Sequence, residues 1–192
     1  MIVSTVPVLP VPDVPVVLIN SQLSNMEISK ISSTIETIKS KKLHRKMEQK
    51  LKFLFYEDLF FFNQGFTSER DAITFLAEKL EQKGCVDSQY KQKIFEREDI
   101  SSSAYSNIAM PHPLEMNSKK TAIAVSIHNT PMNWKQNKVN IIFMLAIQED
   151  DRTLFRDIFD FVTQIISNTH YLQALLTTKT YQEFIDLLLS YI

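Results

Sequence analysis

Apolar and polar positions recur with two different periods along this chain, and the changes of period mark its elements. Ile2–Val6 and Val16–Ile19 are short β-branched runs that predict strands. Pro7, Pro10, Pro12 and Pro15 occupy the connection, so it is not helical. Ser24 and Glu27 stand at capping-box spacing. Ile28, Ile31, Ile35 and Ile38 then follow on one helical stripe. That helix carries on into a basic stretch, with seven Lys/Arg against one acid, Glu48, between Lys39 and Lys52. The charge run predicts a solvated helix or a linker joining two units. A nucleic-acid patch would call for interleaved aromatics or a recognised motif, and this stretch has neither.

Residues 51–66 are dense in aromatics, among them Phe53, Phe55, Tyr56, Phe60, Phe61, Phe62 and Phe66, a pattern of core packing rather than of a stacking platform. Ser68 and Asp71 open the next helix, with Ile73, Leu76, Ala77 and Leu80 inward and Gly84 as its C′ residue. Asp87 is placed to cap a further helix that buries Tyr90 and Ile94 and ends near Arg97 and Glu98. A polar loop, Ser101–Asn107, leads to a very short strand, Ile108–Met110, stopped by Pro111. Thr121–Ile127 reads as a strand, and the near-continuous apolar run Val139–Ile147 as a central strand covered on both faces. Asp150 and Asp151 start a long helix with Leu154, Phe155, Ile158, Val162, Ile165 and Ile166 inward. A helical turn around Leu172–Leu176 follows, and Thr180 with Glu183 caps a last helix bearing Phe184, Leu187, Leu188 and Tyr191. Strands interspersed with helices predict a layered α/β fold.

Composition narrows the chemistry. The 192 residues are 44% hydrophobic and 22% charged, one ordinary globular domain or a domain plus a fragment. The formal net charge of -1 argues against nucleic acid as the main ligand. Only two glycines occur, Gly65 and Gly84, so no Walker loop, dinucleotide fingerprint or kinase glycine loop can be built. The lone Cys85 excludes an internal disulfide and a cysteine-rich zinc site, reads as a small core residue, and suits a reducing, cytoplasmic compartment. No run of about 18 apolar residues is present, so no membrane span is expected. The proline-broken N-terminus, without a basic n-region, does not read as a signal peptide.

The most unusual local feature is Met110-Pro111-His112-Pro113. Pro113 pushes His112 into extended geometry and Pro111 has a fixed φ, so the imidazole is presented from stiff backbone after a short strand. Histidine is a competent nucleophile near neutral pH. A phosphorylated imidazole needs donors for its oxygens, and an arginine fork is the best single one. Arg97 and the hydroxyls of Ser101, Ser102 and Ser103 lie one loop upstream. A lone histidine is more often a surface or satisfied core residue, and both readings stand on the local pattern. No histidine pair has helical metal-ligand spacing, and Glu149, Asp150 and Asp151 read as a helix start, so no metal site is expected.

Arg97-Glu98-Asp99-Ile100-Ser101-Ser102-Ser103, followed by Asn107-Ile108-Ala109-Met110-Pro111-His112, resembles a block of the enzyme IIA domains of fructose–mannitol type, from the bacterial phosphoenolpyruvate:sugar phosphotransferase system. Lys83-Gly84-Cys85-Val86, Pro131 with Trp134, and Ile141–Ala146 before a long helix fall in the same order, over about residues 51–192. The resemblance implies a layered mixed sheet flanked by helices. It implies a phosphocarrier in which His112 accepts a phosphoryl group from the carrier HPr, with Arg97 and Ser103 orienting it and no metal, nucleotide or other cofactor. Residues 1–40 resemble the second half of a galactitol-type IIB-like domain, as in sugar-responsive transcriptional regulators where such a unit precedes a IIA domain. The implied domains are 1–50, a IIB-like C-terminal fragment with a basic helical linker, and 51–192, the IIA-like domain.

This sequence departs from the family in three places. Tyr105-Ser106-Asn107 lacks the glycines common before the histidine, and Ser103 stands where threonine is common. Asp151-Arg152-Thr153-Leu154 lacks the second histidine of transport-type members, which favours a regulatory role. Three readings stay open here: a phosphorylatable regulatory domain, a free-standing IIA component that hands phosphate to a IIB, and a binding module that is never phosphorylated. The implied partners are HPr, a IIB protein or domain, and a regulator's own upstream domains. Oligomerisation is left open.

Overall fold

The computed structural model describes residues 1–191. It contains two units, one over residues 1–47 and one from Glu48 onward. In the first, β1 (Ile2–Ser4) and β2 (Val16–Leu18) pair in parallel, Val3 opposite Val17. Their connection is proline-rich rather than helical, and turns at Val11–Val14 with Asp13 at φ 59°. Helix α1 (Asn25–Leu54) opens on the expected capping box. The Glu27 N–H donates to Ser24 Oγ at 3.3 Å, and the Ser24 N–H donates to the Glu27 carboxylate at 2.8 Å. Every residue from Lys39 to Lys46 is helical and exposed.

The second unit is built on a five-stranded mixed sheet. Its strands are β3 (Phe55–Phe62), β4 (Ala104–Tyr105), β5 (Ile108–Ala109), β6 (Ala122–Trp134) and β7 (Asn137–Ala146), in the order β3-β6-β7-β5-β4. β6 and β7 form an antiparallel hairpin that turns at Lys135, φ 49°. β3 runs parallel to β6, β5 parallel to β7, and β4 antiparallel to β5. β7 is the middle strand, buried from Val139 to Ala146, as its continuous apolar run predicts.

One face carries α2 (Glu69–Gln82) and α3 (Tyr90–Ile100), whose Ile73, Leu76, Leu80 and Ile94 share a core with Ala109, Ala124, Trp134 and Met144. The other face buries Phe55, Ile123 and Phe143 with α4 (Arg152–Ser167), α5 (Thr169–Thr177) and α6 (Tyr181–Ser190). Phe55 and Phe143 meet Phe184 of α6 at 5.2 and 6.4 Å between ring centroids. Thr180 and Glu183 close the expected capping box of α6. Gly84 takes φ 73° after α2, a left-handed residue where a side chain would be strained.

Three elements differ from the sequence reading. The aromatic segment after residue 54 is strand β3, whose register shifts between Phe55 and Phe60, which blurs any period of two. β6 runs seven residues past Ile127 in spite of Pro131. Pro131 falls within the register shift between Ile127 and Met132, beyond the last pairing with β3, where a missing N–H breaks no ladder. The polar loop Ser101–Asn107 contains the edge strand β4. Among the described residues, no helix is long and apolar enough to cross a membrane.

Candidate functional site

The segment carrying His112 is held on both sides as it leaves β5. The Met110 N–H donates to the Ser103 carbonyl at 3.2 Å, and the Leu145 N–H of β7 donates to the Pro111 carbonyl at 3.0 Å. Pro111 and Pro113 are buried, and His112 is half-buried between them. The ring Nδ1 lies 2.7 Å from the Met110 carbonyl oxygen. A carbonyl can only accept, so this hydrogen bond assigns a proton to Nδ1, and in the neutral ring the lone pair is then on Nε2. Nε2 has no hydrogen-bond partner among the described residues.

Arg97 lies in the last turn of α3, with 18% of its side chain exposed. Its guanidinium donates to the Ser101 carbonyl and stands 3.9 Å from the Glu98 carboxylate. The Ser103 N–H donates to both Glu98 oxygens at 3.1 Å. Ser103 Oγ is itself buried and unpartnered. A buried hydroxyl left unpaired costs about 1–3 kcal/mol, which an incoming ligand oxygen would offset. Among the described residues no hydrogen bond or ion pair joins Arg97 to His112. They meet through one loop: Arg97 grips it at Ser101, and its Ser103 carbonyl receives the backbone of the histidine segment.

Glu98 organises that loop, and the sequence reading assigned it no role. It is 2% exposed, and besides the Ser103 N–H it accepts from the Trp134 indole at 3.2 Å. The Lys135 ammonium donates to the Glu98 main-chain carbonyl. A buried carboxylate is tolerable only when its oxygens are satisfied. Here the donors come from a loop five residues on and from the end of β6. No local pattern reports a partner 36 residues away.

The remaining candidates are structural. His128 is 5% exposed, with Nε2 2.9 Å from Ser126 Oγ and its ring 5.2 Å from that of Phe66. Burial holds its imidazole below the ordinary range. His44 and His170 are exposed on helices. Cys85 is 1% exposed, and burial pushes its thiol up. Thr121 Oγ1 donates to Asp151 at 2.6 Å and accepts from the Gln148 N–H at 3.0 Å, so this acid ties α4 to β6. Among the described residues, no cluster of His, Cys, Asp or Glu could hold a metal ion. The arrangement therefore offers a ring nitrogen without a partner, an unpaired Ser103 hydroxyl just before β4, and the Arg97 guanidinium at the end of α3 tied to the loop between them.

Residues 53–191 match the family described as "Phosphoenolpyruvate-dependent sugar phosphotransferase system, EIIA 2". Two relatives from Bacillus subtilis (strain 168) align with nearly the whole chain. The "Probable licABCH operon regulator" is 29% identical over 186 residues, 96% of this chain and 28% of that protein. The "Transcriptional regulator ManR" is 27% identical over 176 residues, 90% of this chain and 27% of that protein. The chain thus spans little more than a quarter of either. Enzyme IIAMTL of Escherichia coli, solved in complex with phosphorylated enzyme IIBMTL, shares the fold, with a TM-score of 0.61 and 18% identity over 71% of this chain and 99% of that one.

Proposed function

The chain belongs to the type-2 EIIA family of the phosphoenolpyruvate-dependent sugar phosphotransferase system, and from that premise we propose that it is a regulatory EIIA domain phosphorylated on His112. The donor is a phosphohistidine carrier of the HPr kind. His112 Nε2 attacks the donor's phosphorus, the new N–P bond forms as the donor's N–P bond breaks, and no metal or nucleotide takes part. The proton stays on Nδ1, donated to the Met110 carbonyl, which keeps Nε2 the attacking atom. This hydrogen bond is the single observation that carries the reading.

Arg97 and Ser103 orient the phosphoryl oxygens in this reading. A charge-assisted hydrogen bond from the guanidinium contributes about 1.5–3 kcal/mol. Ser103 Oγ supplies one O–H donor that the resting protein leaves unused. The regulatory assignment is supported by the two relatives named as regulators, whose alignment includes the first unit as well. It is supported too by Arg152 at the start of α4, where transport-type members carry a second histidine. We read residues 1–50 as the end of a IIB-like unit with its linker, and a IIB protein or domain as a further partner. Incubation with phosphoenolpyruvate, enzyme I and HPr tests the proposal. Stoichiometric, acid-labile label is expected, and it disappears in His112→Ala. Undiminished label in that variant defeats the assignment.

A further inference from the structure

Between the β4–β5 hairpin and helices α4 and α5 lies a cleft of about 510 Å³ that shares Ser103 and Met110 with the phosphoryl site but is not lined by His112 or Arg97. Its size falls within the roughly 300–1,000 Å³ of small-molecule sites. Ile108, Phe159 and Leu172 are among its apolar lining, and Ser103, Thr163 and Ser167 are among the hydroxyl residues that line it. Among the described residues, no Asp, Glu, Lys, Arg or His lines it.

Two hydroxyls on α4 face a ligand as acceptors. Thr163 Oγ1 donates to the Phe159 carbonyl at 2.7 Å, and Ser167 Oγ to the Thr163 carbonyl at 2.7 Å. Their protons are used inside α4 while their lone pairs remain. Ser103 Oγ is buried without a partner, and its lone pairs stay available when its proton serves a phosphoryl group. The complement of such a lining is uncharged, rich in O–H donors and apolar along one face. An anion would be buried there without a cation, at high desolvation cost. We propose that this cleft binds a neutral polyhydroxylated small molecule, a sugar or polyol of mono- to disaccharide size, at a site separate from His112.

The test is an amide-shift NMR titration of the full chain with glucose, sorbitol and maltose, and with glucose 6-phosphate as the charged counterpart. At least one neutral probe should give saturable shifts confined to residues 103–110 and 159–172, with the sugar phosphate about tenfold weaker or silent. Thr163→Leu removes an acceptor and fills the cleft, and should weaken binding about tenfold or more. Ser167→Ala, at an exposed helix position, is the milder second variant and should weaken it about threefold. His112→Ala should bind as the parent does. The proposal is overturned if no neutral probe shifts these amides up to about 50 mM, beyond the millimolar range that a few hydroxyl contacts supply. It is equally overturned if the shifts survive both cleft variants, or if glucose 6-phosphate binds as well as glucose.

Discussion

The indole N–H of Trp134 donates to the carboxylate of Glu98 at 3.2 Å, joining the end of β6 to the end of α3 with both residues essentially shut off from solvent. The same carboxylate holds the Ser103 N–H, so the loop before the histidine is set by the sheet's own hairpin. Glu98→Ala would orphan both donors. It should destabilise the protein by about 2–4 kcal/mol and lower Tm by roughly 5–15 °C. Trp134→Phe keeps most of the ring and loses one charge-assisted bond, about 1.5–3 kcal/mol. Thermal melts of both variants and of the double variant measure the coupling. Strictly additive losses would mean that the bond contributes nothing.

Ser103→Ala separates phosphoryl chemistry from folding. Its hydroxyl has no partner, so removal should leave Tm unchanged or slightly raised. Labelling from phospho-HPr should slow by about threefold to tenfold, the worth of one hydrogen bond. Arg97→Ala should slow it further or shorten the phosphohistidine lifetime, with the melt still cooperative. Arg97→Lys should rescue only in part, because a point charge lacks the planar fork. Wild-type labelling kinetics in Arg97→Ala would remove Arg97 from the site.

His128 makes stability depend on pH. Its folded pKa lies below the ordinary 6.5 because the ring is buried, so the unfolded chain binds the proton more readily. The stability this gives is present above about pH 6.5 and is lost as pH falls below it. Tm should fall from pH 7.5 to pH 5.5, by up to about 1.4 kcal/mol of stability per pH unit. The carboxylates of Asp71 and Glu183, held below their usual range by hydrogen bonds, stay ionised across that window. His128→Asn keeps a polar partner for Ser126 and should flatten the slope in a pH series of melts.

Where the second unit begins is testable by truncation. Leu51 and Leu54 of α1 are fully buried, and Lys50 pairs with Asp157 of α4 at 3.1 Å. A chain starting at Glu48 should melt cooperatively and still accept phosphate on His112. One starting at Phe55 loses both leucines, each worth about 2–5 kcal/mol, against a total of roughly 5–15 kcal/mol. It should lose its cooperative melt by calorimetry. Equal stability of the two truncated chains would show that the last turn of α1 is dispensable.

Much of this protein was legible in its linear pattern, wherever the deciding interaction is local. Capping boxes close within three residues, so Ser24 with Glu27 and Thr180 with Glu183 announced their helices. Gly84 supplies a positive φ that needs no distant partner. The two prolines beside His112 restrict it whatever surrounds them, and an unbroken apolar run such as Val139–Ile147 can be satisfied only by burial on both faces. Tertiary structure decided what depends on register and on partners far along the chain. The aromatic stretch became strand β3 because β6 offered it a parallel edge, and β6 could run through Pro131 because β3 ends before it. The tautomer of His112 follows from how the backbone turns its ring onto the Met110 carbonyl. The burial of Glu98 follows from Trp134, brought beside it by the β6–β7 hairpin. The acceptor-lined cleft exists only once α4 lies alongside the β4–β5 hairpin. Local rules select elements from the few conformations each residue allows, whereas a hydrogen bond across 36 residues is decided by the packing of the whole sheet.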